Sequence, residues 1–344
     1  MWRGIHGHDE IVERFRRTLA HGRLASTYLF VGPPGVGKRR FALELARSLL
    51  CTAREGASLE PCGQCESCRL FAAGSHPDLD VIGLKPDKSE LAISQFVGFD
   101  EDLKQEGLCH RIALKPFFGG RRIAIIDDAD HFNVHSANCL LKTLEEPPPR
   151  SLLILIGTSP SRQLPTIRSR AQIVRFQPLD AETVERILLE SGLATDRPAA
   201  TKAAELSEGS VERAVELVDP ALWAFRNQLF AELRRPNSVR LMRSVQAFVD
   251  EAGKEASEKR RRLRTILDFA LAFYRKALSG EAASHFGKDA YSIGELQEAG
   301  VKALDATLDA LEQVDRNANL GLVIQRWSER LGDVLKREIS ISGR

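Results

Sequence analysis

The sequence has 344 residues, 43% of them hydrophobic and 28% charged; the length suggests two or three domains and the apolar fraction excludes wholesale disorder. Lys and Arg number 49 against 47 Asp and Glu, and the resulting net charge of +2 excludes a histone-like polycation while leaving room for a local basic face. Six cysteines are too few for a disulfide scaffold, the start MWRGIHGHDE lacks an apolar signal core, and no apolar run nears the ~20 residues of a spanning helix, so the expectation is a cytoplasmic chain in a reducing compartment with no membrane attachment.

The first half alternates helix and strand signals. Ile11, Val12, Phe15 and Leu19 recur at helical spacing. Tyr28 to Val31 is a short apolar run entering a glycine-rich turn, and Phe41 to Leu50 reads as the following helix. Further buried strands are predicted at Leu79 to Ile82, Ile123 to Ile126, Leu152 to Ile156 and Ile173 to Phe176, with a helix over Ser136 to Glu146. Strands alternating with helices predict a parallel sheet covered on both faces. After about Pro178 strand-like runs vanish. Short helices are predicted over Thr183 to Ser191, Arg197 to Leu206 and Val211 to Val218, and longer ones over Ser238 to Glu251, Lys259 to Leu278 and Leu304 to Leu335. The predicted organisation is an α/β domain over 1–178, a small helical domain over 179–219 and an all-helical domain over 220–344.

Residues 32 to 38 read Gly-Pro-Pro-Gly-Val-Gly-Lys, placed between a strand and a helix as a phosphate-binding loop requires. Gly32, Gly35 and Gly37 let the backbone curl around an anion, and Lys38 can reach outer phosphates. Arg39 stands where the motif places Ser or Thr; a guanidinium cannot replace the hydroxyl that ligates Mg²⁺. The loop therefore reads as a site for ATP with impaired Mg²⁺ binding, or as a retained shape that no longer takes nucleotide. Ile-Ala-Ile-Ile-Asp-Asp-Ala-Asp at 123 to 130 is an apolar strand ending in acids. Asp127 sits where a metal could be held through water. Asp128 stands where many ATPases carry a longer Glu that orients the attacking water.

Cys62, Cys65 and Cys68 follow Cys51 in C-x-x-C-x-x-C spacing, and four soft thiolates suit tetrahedral Zn²⁺. Iron–sulfur ligation uses similar spacing. With no open position and no adjacent general base, a structural zinc module over about 51–68 is the favoured reading. Cys109 and Cys139 read as packing thiols, and His76 before Pro77 as a turn residue rather than a ligand.

These features, together with Ser75-His76-Pro77-Asp78, the run Asn138 to Pro148 and Thr166-Ile167-Arg168-Ser169-Arg170, occur in the order seen in the AAA+ clamp-loader family of bacterial DNA polymerase III, which the chain resembles. The resemblance is dense from Ile5 to about Pro178 and weaker beyond, where Asn317-Ala318-Asn319-Leu320 resembles the family's carboxy-terminal helix. It implies an AAA+ P-loop domain with a zinc module, a helical lid and a helical collar. It also implies a hetero-oligomer with gamma/tau and delta subunits that opens a sliding clamp and places it on primed DNA. The chain is most similar to the non-motor members. These lend an arginine across an interface to a neighbour's ATP, and the matching residue is Arg170, here in Ser-Arg-Ala where the family has Ser-Arg-Cys; an internal salt bridge is the alternative reading of that arginine. Thr158 matches the polar sensor near the γ-phosphate. The second sensor, usually Arg after Gly-Ser, is replaced: Gly209-Ser210-Val211 leads to Glu212. Arg39, Asp128 and Glu212 all point to weak or absent hydrolysis. A gamma/tau-like motor and a zinc-containing nucleic-acid-binding module with a vestigial P-loop are the competing readings. The basic clusters Arg16-Arg17, Arg121-Arg122, Arg234-Arg235 and Lys259 to Arg264 read as solvated faces, with DNA contact left to the assembled ring.

Overall fold

The computed structural model describes residues 2–54, 59–85, 88–98, 107–234, 237–278 and 293–339, with 293–297 and 335–339 described by backbone alone. The chain divides into two compact units, Met1–Val218 and Asp219–Arg344.

In the first unit, α1 (Asp9–Ala20) precedes β1 (Thr27–Val31), α2 (Lys38–Leu50), α3 (Glu66–Ala72) and β2 (Leu79–Ile82). Two single turns, α4 (Ser94–Val97) and α5 (Leu108–Arg111), lead to β3 (Arg122–Ile126), α6 (Val134–Glu145), β4 (Ser151–Gly157), α7 (Pro165–Arg168) and β5 (Gln172–Arg175). The strands form one parallel sheet in the order β2-β3-β4-β1-β5. β1, β3 and β4 are buried along their whole length, which is why they appear in the sequence as continuous apolar runs instead of alternating ones. The two-residue repeat divides their side chains between two cores. Tyr28, Phe30, Ile123, Ile125, Leu152 and Ile154 pack with Phe15 of α1 and Phe41 and Leu45 of α2. Leu29, Val31, Ala124, Ile126, Leu153 and Leu155 pack with Ala137, Leu140 and Leu144 of α6 and with Ile167 of α7. The predicted α/β architecture is thus present, with the strand feeding the glycine-rich loop held between two parallel partners.

Three short helices complete this unit: α8 (Ala181–Glu190), α9 (Arg197–Leu206) and α10 (Val211–Leu217). Asp180, Asp196 and Ser210 cap them by accepting the N–H groups of Thr183, Ala199 and Arg213.

The second unit is helical among its described residues: α11 (Pro220–Arg234), α12 (Ser238–Asp250), α13 (Ala256–Leu278), α14 (Ile293–Asp315) and α15 (Leu320–Ile339). The stretch predicted as one helix over Leu304 to Leu335 is two. Asn317 adopts a left-handed φ of 60°, which ends α14. The Asn319 carbonyl oxygens, side chain and backbone, then accept Leu322 N–H and Val323 N–H to start α15. Trp327 is fully buried and donates to Thr307 Oγ1 at 3.0 Å, tying these two helices together. No helix among the described residues is long and apolar enough to cross a membrane.

One residue of the basic clusters, Arg122, departs from the solvated face predicted for it. Arg122 is buried against Asp78 and Asp80 at 3.6 and 3.8 Å. In the Lys259 to Arg264 run, Lys259, Arg262 and Arg264 pair with Asp250, Asp219 and Asp315, while Arg261 and Arg264 stay exposed as a solvated face would be. Arg235 lies outside the described residues.

Candidate functional site

The glycine-rich loop joins the buried end of β1 to α2, and Gly32, Gly35 and Gly37 take positive φ values of 151°, 72° and 97°. At Gly35 the close approach is as demanding as the φ: a Cβ there would meet Ser210 Oγ at 2.1 Å and Glu212 Cβ at 2.8 Å. Val211 N–H also donates to the Gly35 carbonyl at 3.0 Å. The start of α10 is therefore seated on the loop, with Glu212 beside it. Lys38 is 8% exposed, and its ammonium donates to the Gly32 and Pro33 carbonyls at 2.7 and 2.6 Å. Burial lowers its pKa, while Asp127, Asp130 and Glu212 oppose that shift.

The three acids after β3 each have different partners. Arg39 Nε lies 3.3 Å from Asp127 Oδ2, and Asp127 Oδ1 accepts Asp128 N–H at 3.0 Å. Burial and then the adjacent Asp128 raise the Asp127 pKa, against the pull of Asp128 N–H, Arg39 and Lys38. Asp128, exposed and left-handed at φ 53°, accepts Leu84 N–H at 3.1 Å. Its carboxylate is thus tied to the loop after β2. Thr158 donates both N–H and hydroxyl to Asp130, at 2.7 and 2.5 Å, and Gln163 donates to the other oxygen at 2.6 Å. A Cβ on Gly157 would lie 2.6 Å from that same oxygen, so the strand end has room for this network only as glycine.

Sequence reasoning missed the central part played by Asp130 and Gln163, and it missed His8. The last acid of the Asp-Asp-Ala-Asp run was the only available hint for Asp130. His8 is buried, and its Nε2 meets the Val36 carbonyl at 2.8 Å. Burial lowers its pKa, so the neutral ring donates an Nε2–H to the loop.

Arg170 follows α7, on the sheet face opposite α2. Its guanidinium donates to the Thr166 carbonyl at 2.9 Å and pairs with Glu145 at 2.7 Å, leaving the side chain 33% exposed. An internal ion pair therefore exists at this arginine, and Glu145 was not anticipated as its partner.

The four cysteines of the cluster come together. Their sulfurs all lie within 4.8 Å of one another, with Cys51–Cys65 and Cys62–Cys68 at 4.0 Å. A tetrahedral zinc with bonds of about 2.3 Å sets sulfurs about 3.8 Å apart, so the donor set fits that ion in both number and spacing. Backbone N–H groups of Cys62, Gln64, Cys65 and Cys68 point at the sulfurs from 3.3 to 3.4 Å. Without a cation Cys65 and Cys68 ionise unequally. Burial opposes ionisation of Cys65, yet bonds from Thr52 and Cys68 draw it down to about 5. Burial pushes Cys68 up to about 12, reinforced by Cys65 and Cys51. His76 is excluded from the cluster: its Nε2 meets Ser67 Oγ at 2.9 Å and its Nδ1 accepts Asp78 N–H at 3.0 Å. Ser67 in turn donates to the Leu50 carbonyl at 2.6 Å, which braces the residue before Cys51. Cys109 and Cys139 are partly buried against the α6 core, where burial raises both thiol pKa values.

A family model described as "DNA polymerase III, delta subunit" matches residues 7–180. The delta' subunit of DNA polymerase III from Bacillus subtilis is 29% identical, covering 90% of this chain and 92% of that protein. The delta' subunit from Pseudomonas aeruginosa is 41% identical over 42% of this chain and 41% of its own length. The tau/gamma subunit from Haemophilus influenzae is 30% identical over 72% of this chain, but that match spans only 37% of the longer protein.

Proposed function

Because this chain belongs to the DNA polymerase III delta-subunit family, with delta' proteins among its relatives, we propose that it is a non-motor, delta-prime-like subunit of the clamp loader. It joins gamma/tau and delta subunits in a cytoplasmic hetero-oligomer that places the sliding clamp on primed DNA. Residues 1–178 form the AAA+ domain, 179–219 its lid and 220–344 the oligomerising collar. Cys51, Cys62, Cys65 and Cys68 hold a structural Zn²⁺.

Arg170 carries this reading. Thr166 and Glu145 fix its guanidinium at the end of a helical turn while a third of the side chain stays open to solvent. A neighbour's polyphosphate competes for that exposed charge far better than one carboxylate does, because several oxygens converge on it. Supplied in trans, the guanidinium stabilises charge on the transferring phosphoryl group. Removing such a finger lowers turnover by on the order of 10³ at the site it serves. Arg170→Ala is expected to leave melting of the isolated chain within about 1 kcal/mol of the parent and to cut ATP turnover of the reconstituted loader. Undiminished turnover removes the role.

The gamma/tau-like motor reading draws on the tau/gamma similarity and on the retained glycine loop with Lys38. Magnesium-dependent hydrolysis by the isolated chain, lost in Lys38→Ala, would establish it in place of the non-motor role.

A further inference from the structure

We propose that Arg39 is a resident cation standing where a P-loop would otherwise recruit Mg²⁺, so that any phosphate this loop takes is taken without a divalent metal. The inference concerns only the loop and holds whether or not the chain serves a clamp loader.

Mg²⁺ needs near-octahedral oxygen ligands, one or two of them carboxylates. The hydroxyl expected after Lys38 is absent, and the guanidinium in its place has five donors and no acceptor. The acids that could compensate are already engaged. Asp127 gives one oxygen to Arg39 and the other to Asp128 N–H. Asp130 gives both oxygens to Thr158 and Gln163. Asp128 is turned towards Leu84 N–H. An incoming dication also meets two fixed positive charges near Asp127, those of Arg39 and Lys38, both of which act on that carboxylate.

The ion pair by itself is modest, because Arg39 is 62% exposed on its side chain. Exclusion comes instead from the missing hydroxyl acting together with cationic repulsion. That makes the prediction asymmetric: a single substitution that restores the hydroxyl and removes the charge should open the site to metal. Glu212, beside Gly35 at the start of α10, disfavours phosphate at the loop and is held by its charge interaction with Lys38.

The test uses the full chain and a fluorescent ATP analogue, titrated with and without Mg²⁺ in metal-depleted buffer. Chelators are omitted because they would strip the cysteine cluster. The parent should show no Mg²⁺ dependence, whether it binds the analogue in both buffers or in neither. Arg39→Thr should bind about tenfold or more tightly with Mg²⁺ than without it, the scale of a gained metal contact. Adding Asp127→Asn to that variant should abolish the gain. Circular dichroism establishes that each variant folds. Mg²⁺-dependent binding by the parent overturns the proposal. So does an Arg39→Thr variant that folds and remains as indifferent to Mg²⁺ as the parent.

Discussion

Two places in the first unit have the sequence marks of a metal centre, and they have diverged. At the cysteine cluster four sulfurs converge within 4.8 Å, with backbone N–H groups aimed at them and a serine–histidine brace behind. At the P-loop the acids are present but paired with protein groups, and a guanidinium faces the one best placed for a cation. The difference lies in how each site handles its own charge. Four sulfurs this close can all be ionised together only around a cation, so the cluster is suited to one. Asp127 already has its counter-charge, so the P-loop is not. Spacing identifies a metal site only when no neighbouring side chain neutralises it.

The sharpest way to break this contrast is to remove one thiolate. Cys65→Ser is expected to reduce bound zinc from one per chain to none by elemental analysis, and to cost about 3 kcal/mol or more in thermal stability, because structural zinc binding is folding free energy. The parent should also lose zinc with acid. Metal-free Cys68, pushed up to about 12, carries its proton throughout the neutral range and must release it on binding. Lowering the pH from 8 to 6 should therefore weaken zinc binding by about 10² for that proton alone. Competition with a chromophoric chelator reads this directly. Full stability without metal, or iron in its place, removes the structural zinc.

Much of this arrangement was legible in advance, for physical reasons. Buried parallel strands need apolar side chains on both faces, so Tyr28–Val31 and Leu152–Ile156 stood out as unbroken runs. The cysteine spacing is local, and sulfurs three residues apart can only point into a shared turn. What stayed hidden depends on distance along the chain. Glu145 meets Arg170 from 25 residues away, and Asp130 gathers Thr158 and Gln163 across a strand crossover. Arg122 looked like a surface charge because nothing local announces Asp78 and Asp80 as its buried partners. The break at Asn317 carried a signal, since asparagine tolerates a left-handed backbone, but the apolar periodicity on either side concealed it.

A smaller effect tests whether α10 is fixed on the glycine-rich loop. Gly35→Ala combines a φ of 72° with a Cβ that would sit 2.1 Å from Ser210 Oγ. The strain and the displaced helix start together should cost about 2 kcal/mol, read as a lowered melting temperature. Faster hydrogen exchange should appear across 209–217 and not in the cysteine cluster. An unchanged exchange pattern would mean that α10 rests only loosely against the loop.

The smallest expected effect is the most direct comparison with Cys65→Ser. Asp127→Asn removes a carboxylate from the position a Walker-type metal would use. Burial and Asp128 raise its pKa, so folding disfavours its charged form relative to the unfolded chain. An acid whose pKa is raised on folding contributes stability at low pH and loses it as the pH climbs through the folded value. At neutral pH, Asn should therefore recover part of what the charge costs, against the loss of an exposed-side ion pair to Arg39 of about 0–1 kcal/mol. The expected outcome is a stability within about 1 kcal/mol of the parent at pH 7, read by thermal melting. The difference between the two proteins should also shrink as the pH is lowered and the parent Asp127 takes up its proton. A loss as large as that of Cys65→Ser would mean that the charged carboxylate holds the loop together, and that Arg39 is its structural partner before it is a substitute for a metal.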